Sequence, residues 1–498
     1  MKKKILAGLM IYIGICVANP MRAQRDYHEP HRLQIHFSPK DHWMNDPNGM
    51  VYYKGSYHLF FQYYPGANVW GPMHWGHAAS KDLLHWTELP VALYPDSLGY
   101  IFSGSAVADM NNTSGFGKKG NPPLVAIYTN HDPKGEKEGT STFQNQSIAY
   151  SLDEGRSWKK YLDNPVLKNP GIKDFRDPKL SWYGNEKKWI MTLATFDRIS
   201  FFSSRDLKNW TKESDFGKDA GAHGGVWECP DLFSFNYHGK DIWVLLVSIN
   251  PGGPHGGSAT QYFTGQFNGH VFTPYQTQTR WIDGGTDNYA GVTWSNTGNR
   301  KIFLGWMSNW EYAAKVPTEN WRSAMTIPRE LSIEELKGNF YLRSFPVKEL
   351  SLISEQKTDL SPDAQKSRSL KGPLKLELDF PSLDNFSIEL SNGNNEHCTI
   401  GFDTGNNSFF IDRTMSGNAN FEKEFAKKIS SERISQEKGC DIILIIDNSS
   451  VEFFADKGLT AMTAIFFPTE DFDTFKLNID PKTKVGKYNS TILRSIWK

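Results

Sequence analysis

Short apolar runs separated by Gly, Pro, Asn and Asp fill the chain from residue 31 to 345. Leu124-Val125-Ala126-Ile127-Tyr128, Trp189-Ile190-Met191-Thr192-Leu193 and Ile302-Phe303-Leu304-Gly305-Trp306 have strand length and strand composition. No long stretch spaces its apolar residues as a helix would, so the pattern predicts an all-β region with frequent turns. The character changes at 346. Residues 346–372 are polar, with Ser, Asp, Lys and Gln runs, and read as a linker. Residues 373–498 return to alternating strands such as Leu374-Lys375-Leu376-Glu377-Leu378 and Ser450-Val451-Glu452-Phe453-Phe454. Their turn spacing is that of a β-sandwich.

The first region repeats itself. Ser80-Lys81-Asp82-Leu83-Leu84-His85-Trp86 is echoed by Ser204-Arg205-Asp206-Leu207-Lys208-Asn209-Trp210, and with one extra residue by the run from Ser151 to Trp158. A second element opens hairpins: Asp46-Pro47-Asn48-Gly49, Asp177-Pro178-Lys179, Pro230-Asp231 and, more loosely, the run from Thr286 to Gly291. With Phe102-Ser103-Gly104-Ser105, the equivalent points fall near 46, 103, 177, 228 and 287. Intervals of roughly 50 to 75 residues suit four strands and their loops. Five units predict a five-bladed β-propeller, whose innermost strands converge on one axis. Asp46, Asp177 and Glu228 would then meet at one mouth.

Composition narrows the function. Lys plus Arg and Asp plus Glu are equal at 55 each, which argues against nucleic acid and against a polybasic membrane contact. Aromatic content is 14%, enough to fill β-cores and leave rings for stacking on a ligand. Lys2-Lys3-Lys4, the apolar run from Ile5 to Ala18 and Met21-Arg22-Ala23 read as a signal peptide over 1–23. The protein is therefore expected to be exported, periplasmic or extracellular, with no membrane span in the mature chain. Ile15 precedes Cys16, where a lipoprotein signal wants a small residue, and counts against lipid anchoring. Cys229, Cys398 and Cys440 remain. Cys398 with Cys440 is the one pairing the sequence raises as a disulfide, without deciding it. No C-x-x-C occurs, and His74 and His77 flank a Trp in a strand-like run, so no metal is expected. Oligomeric state is not legible.

Three carboxylates sit in distinctive contexts: Asn45-Asp46-Pro47, Phe175-Arg176-Asp177-Pro178 and Trp227-Glu228-Cys229-Pro230. Taken singly, the first is ordinary turn chemistry and the second an ordinary ion pair. Together they fit hydrolysis of a glycosidic bond with retention, in which an ionised carboxylate attacks and a protonated one donates to the leaving oxygen. Glu228, beside Trp227 and Cys229, suits the acid through partial desolvation. Asp46, among backbone donors and an Asn, suits the nucleophile. Asp177, held ionised by Arg176, suits an orienting and charge-stabilising role.

The run from Trp43 to Gly49, Phe175-Arg176-Asp177-Pro178 and Trp227-Glu228-Cys229-Pro230-Asp231, in that order, resemble the three signature blocks of glycoside hydrolase family 32, the β-fructofuranosidases, inulinases and levanases. Trp70-Gly71-Pro72-Met73-His74-Trp75-Gly76-His77, Phe102-Ser103-Gly104-Ser105, Gly305-Trp306 and the run from Ser449 to Phe454 extend the resemblance over nearly the whole mature chain. It implies a propeller followed by a sandwich and a retaining mechanism with no cofactor. Asp46 would be the nucleophile, Glu228 the acid/base and Asp177 the transition-state stabiliser. Trp43, Asn45, Gln62, Trp70, Phe102, Ser103, Arg176 and Trp306 would line the pocket for a terminal fructose. Residues 252–263 and Gln146 to Ser151 look more like secreted microbial exo-fructanases than plant invertases. The expected activity is release of terminal fructose from levan or inulin, with sucrose as a further substrate. The rivals are an endo-acting levanase or inulinase, a non-catalytic fructan-binding propeller, and a propeller glycosidase for arabinans or xylans. Three intact acids count against the binding protein, and the Trp43 to Gly49 block against the other sugars.

Overall fold

A computed structural model describes residues 27–118, 120–362 and 366–497. The expected signal peptide and Cys16 lie outside them. Residues 42–346 form five successive antiparallel sheets. Their first strands are His42–Tyr53, Tyr100–Ala108, Phe175–Tyr183, Val226–Tyr237 and Tyr289–Thr293. Each first strand packs beside the next, and the fifth packs back on the first. This closed ring is the geometry of a five-bladed propeller. Trp321–Arg322, returning from the fifth blade, adds a short parallel strand at His42–Trp43 and ties the ring shut. Among the described residues of this region, one α-helix of five residues, Pro133–Lys137, interrupts the strands.

The repeated Ser-x-Asp element is one turn built three times, between the third and fourth strands of blades 1 to 3. The serine hydroxyls of Ser80, Ser151 and Ser204 donate to Asp82, Asp153 and Asp206 at 2.8–3.0 Å. Asp82 and Asp206 each accept two backbone N–H groups from the residues that follow. The carboxylate replaces strand hydrogen bonds that the turn gives up.

Two six-stranded sheets form the C-terminal sandwich, and one continuous apolar core fills the space between them. The described residues of 346–372, a stretch expected as a linker, include regular structure. They carry a short 3-10 helix, Lys348–Ile353, and two strands, Ser354–Asp359 and Ser367–Ser369, which pair with the edges of the two sandwich sheets. A polar sequence suits an edge strand, which buries neither face fully. Cys398 and Cys440 sit in opposite sheets of this core as free, buried thiols, so the pairing raised from sequence does not form.

A buried ionic network joins propeller to sandwich. Arg329 donates to Asp283 at 2.8 Å, to Thr463 at 2.6 Å and to Glu452 through two N–H groups. Glu452 also accepts from the Ile327 N–H and bonds His36, whose other ring nitrogen bonds Asp447. Asp287 belongs to a second such cluster, accepting from Arg413 at 2.8 Å and from Tyr312. Its place in the repeat is therefore structural.

Candidate active site

All five innermost strands carry a β-bulge at the same level, with two residues set against one on the neighbouring strand. The pairs are Asn45-Asp46, Phe102-Ser103, Asp177-Pro178, Cys229-Pro230 and Ala290-Gly291. A bulge breaks the in–out alternation of the strand and re-aims its side chains. Here it turns Asn45, Asp46, Ser103 and Asp177 toward one pocket on the axis. Asp177, Cys229 and Ala290, each first in its pair, hold positive φ values of 65°, 45° and 53°. Backbone strain of this kind, about 1–3 kcal/mol per residue, persists where the surrounding sheet dictates it. The point near 287 expected from the repeat moves to 290–291, because the bulge and not the aspartate is what recurs.

The three carboxyl groups come together in one pocket of about 230 Å³. Asp46 is fixed from both sides. Asn45 Nδ2 donates to its Oδ1 at 2.9 Å, and Ser103 Oγ donates to its Oδ2 at 2.8 Å. Asn45 is itself held by the Trp43 indole N–H at 2.8 Å. The Cys229 thiol lies 3.6 Å from both Asp46 and Asp177, and the Cys229 N–H donates to Asp177 Oδ2 at 3.1 Å. Asp177 Oδ1 has no protein partner among the described residues. Burial and then the nearby Glu228 charge raise the Asp46 pKa.

Arg176 behaves differently from the sequence expectation. Its guanidinium turns to Glu228, at 2.9 and 3.2 Å, and to Asp174, and stands 4.0 Å from Asp177. Burial therefore dominates at Asp177. It raises the pKa to about 7, opposed by Arg176 and reinforced by Glu228 and Asp46. Folded Asp177 keeps its proton to about pH 7, whereas the ordinary value is 3.8. The folded state then binds more protons between those values, so stability falls as pH rises from 4 toward 7. Asp177→Asn removes that penalty. At pH 8 it should be more stable than wild type by up to about 4 kcal/mol, converging with it near pH 4. Thermal melts across that range check this, and equal midpoints at pH 8 would contradict it.

Of the residues expected in the pocket, Asn45, Gln62, Trp70, Phe102, Ser103 and Arg176 line it. Gln62 Nε2 is buried without a protein partner, a donor left for a ligand. Trp43 and Trp306 are fully buried behind the wall, and Trp310, 4.9 Å from Trp306, stands at the surface in their place. Sequence reasoning missed Trp310, His131, Glu136, Gln144 and Asp174 on the rim, and Tyr289 beneath it. The Tyr289 hydroxyl donates to Glu228 Oε2. A repeat aligned on the bulge would have found Tyr289, which sits one residue before it, as Arg176 and Glu228 do.

Three acids from three blades, gathered in one aromatic-rimmed pocket, are the equipment of a glycoside hydrolase. The chain belongs to glycoside hydrolase family 32: residues 36–344 match the family's N-terminal domain and residues 347–492 its C-terminal domain. It is 47% identical to a levanase of Bacillus subtilis (strain 168), over 99% of this chain and 76% of that one. It is 38% identical to an extracellular exo-inulinase of Aspergillus ficuum, over 94% of this chain and 95% of that one. The crystal structure of an exo-inulinase from Aspergillus awamori superposes with a TM-score of 0.85 at 36% identity. That match covers 95% of this chain and all of the other.

Proposed function

We propose that this protein is an exported exo-fructosidase that releases terminal fructose from levan or inulin, and from sucrose, with retention. The observation that carries the reading is the pocket itself. It is small, about 230 Å³, which suits a chain end better than a chain interior. The likeness to a levanase and to exo-inulinases supports fructan as the substrate class, and the likeness to an extracellular exo-inulinase supports export.

The assigned steps follow from the contacts. Asp46 attacks the anomeric carbon as the bond to the leaving oxygen breaks, and Glu228 gives that oxygen its proton. The result is a fructosyl ester on Asp46. Glu228 then takes a proton from water, which attacks the same carbon and frees Asp46. Asn45 and Ser103 hold the nucleophile in one orientation. Arg176 and Tyr289 fix the Glu228 carboxyl between them. Asp177 Oδ1 accepts fructose hydroxyls.

Product chromatography on separate digests of levan, inulin and sucrose tests the reading. Fructose alone from the earliest time point on the polymers is the expected result. Early oligosaccharides would replace it with endo-cleavage, and no product from any of the three with a binding protein or another sugar.

A further inference from the structure

A second cavity opens at the opposite end of the propeller axis. It has about 380 Å³ against about 230 Å³ for the acid pocket, and no residue lines both. A buried plug closes the axis between them. Lys179 donates to the Thr293 carbonyl and lies 3.2 Å from Asp231. Asp231 accepts from the Thr293 N–H and hydroxyl at 2.6 and 2.7 Å.

The lining of this cavity is built unlike a structural void. Trp182, Trp243 and Phe233 supply aromatic walls, and the two indoles are only half-buried. Ser181 and Ser234 bring hydroxyls with no hydrogen bond to another described residue. Lys301 is half-buried and makes no hydrogen bond or ion pair with another described residue, though the Asp231 carboxylate acts on it electrostatically. Its ammonium is a donor on the cavity wall that a ligand's hydroxyls can meet. Lys179 is paired with Asp231, whose charge also acts on Lys301, so the cavity offers an anion little unopposed positive charge. An inorganic anion site would gather more donors than that and would gain nothing from three aromatic faces. Aromatic walls with a few hydroxyl and ammonium donors are the complement of a sugar, which has apolar ring faces and many hydroxyl acceptors.

We propose that this cavity is a second, non-catalytic binding site for a fructan segment. The proposal rests on the fructan reading above. The cavity is larger than the pocket assigned to one fructosyl ring, so it has room for more than a chain end. A polymer held at one end of the axis keeps its free ends near the molecule and raises their effective concentration at the other. Sucrose cannot use it that way.

Two variants keep the test clear of folding defects. Lys301→Gln removes the charge while keeping shape, and Ser234→Trp fills the cavity from a half-buried position. The expected result is a KM for levan or inulin raised roughly 3–10-fold, with kcat and the sucrose kcat/KM unchanged. Calorimetric titration of a short fructo-oligosaccharide into the full-length Asp46→Ala protein should give two sites, and one site when Ser234→Trp is added. One site in the Asp46→Ala parent, or an unmoved polymer KM in both variants, would overturn the proposal. So would inorganic phosphate binding, lost in Lys301→Gln, with no second oligosaccharide site. The fructan reading fails separately, through absence of wild-type hydrolysis.

Discussion

Asp46→Ala will lose about 10⁴-fold or more of wild-type turnover on levan, inulin and sucrose while keeping the wild-type fold. With Asp46 as the proposed nucleophile, its removal removes the covalent route. Asp177 and Glu228 come from different blades, and both are engaged, by the Cys229 N–H and by Arg176. The fold survives because the lost carboxylate is a buried charge beside Glu228 and not a structural anchor. Its two donors, Asn45 Nδ2 and Ser103 Oγ, open on the pocket and can turn to water. Turnover and a thermal melt on one preparation check both halves. Retained activity would remove Asp46 from the mechanism. Lost activity with a lost melt would make it structural.

Arg329→Met will destabilise the protein by about 3–5 kcal/mol, the largest stability effect we expect from one substitution. The guanidinium is the only cation that contacts both Asp283 and Glu452 among the described residues, and all three are buried. Its loss leaves Asp283 without a cation and Glu452 with His36 alone at the joint between propeller and sandwich. Adding Asp283→Asn should recover part of the loss, since the carboxylate left without a cation is then gone. The same joint carries a pH signature. Burial opposes charge on His36, but hydrogen bonds to Asp447 and Glu452 outweigh it and raise its pKa to about 9 from 6.5. A raised histidine pKa stabilises fully below 6.5 and ceases to do so as pH rises through 9. Wild-type midpoints should therefore fall between pH 6.5 and 9, and His36→Gln should flatten that slope. A flat wild-type profile, or Arg329→Met within 1 kcal/mol of wild type by denaturant titration, would contradict the network's role.

The architecture was legible because a strand declares itself locally. Alternating runs and Ser-x-Asp turns recur in sequence as they recur in space, and Asp-Pro marked two of the five bulges. What stayed hidden depends on angles that sequence spacing does not carry. Arg176 adjoins Asp177 in the chain, yet the bulge that begins at Asp177 leaves the guanidinium turned to Glu228. Tyr289 was overlooked because Asp287, two residues earlier, looked like the recurring acid, and Asp287 faces the sandwich. Trp306 and Trp310 were indistinguishable as letters, and only packing put one behind the other. The edge strands at 354–359 and 367–369 read as linker because an edge needs little apolar sequence.

The most direct test is to trap the intermediate. Glu228→Gln, given a β-fructofuranoside with an activated leaving group, still forms the ester but lacks the base that hydrolyses it. Mass spectrometry of a peptic digest should find one added fructosyl unit on the peptide carrying Asp46. The unit on another carboxylate, or no adduct together with a product of inverted anomeric configuration from wild type, would contradict the account.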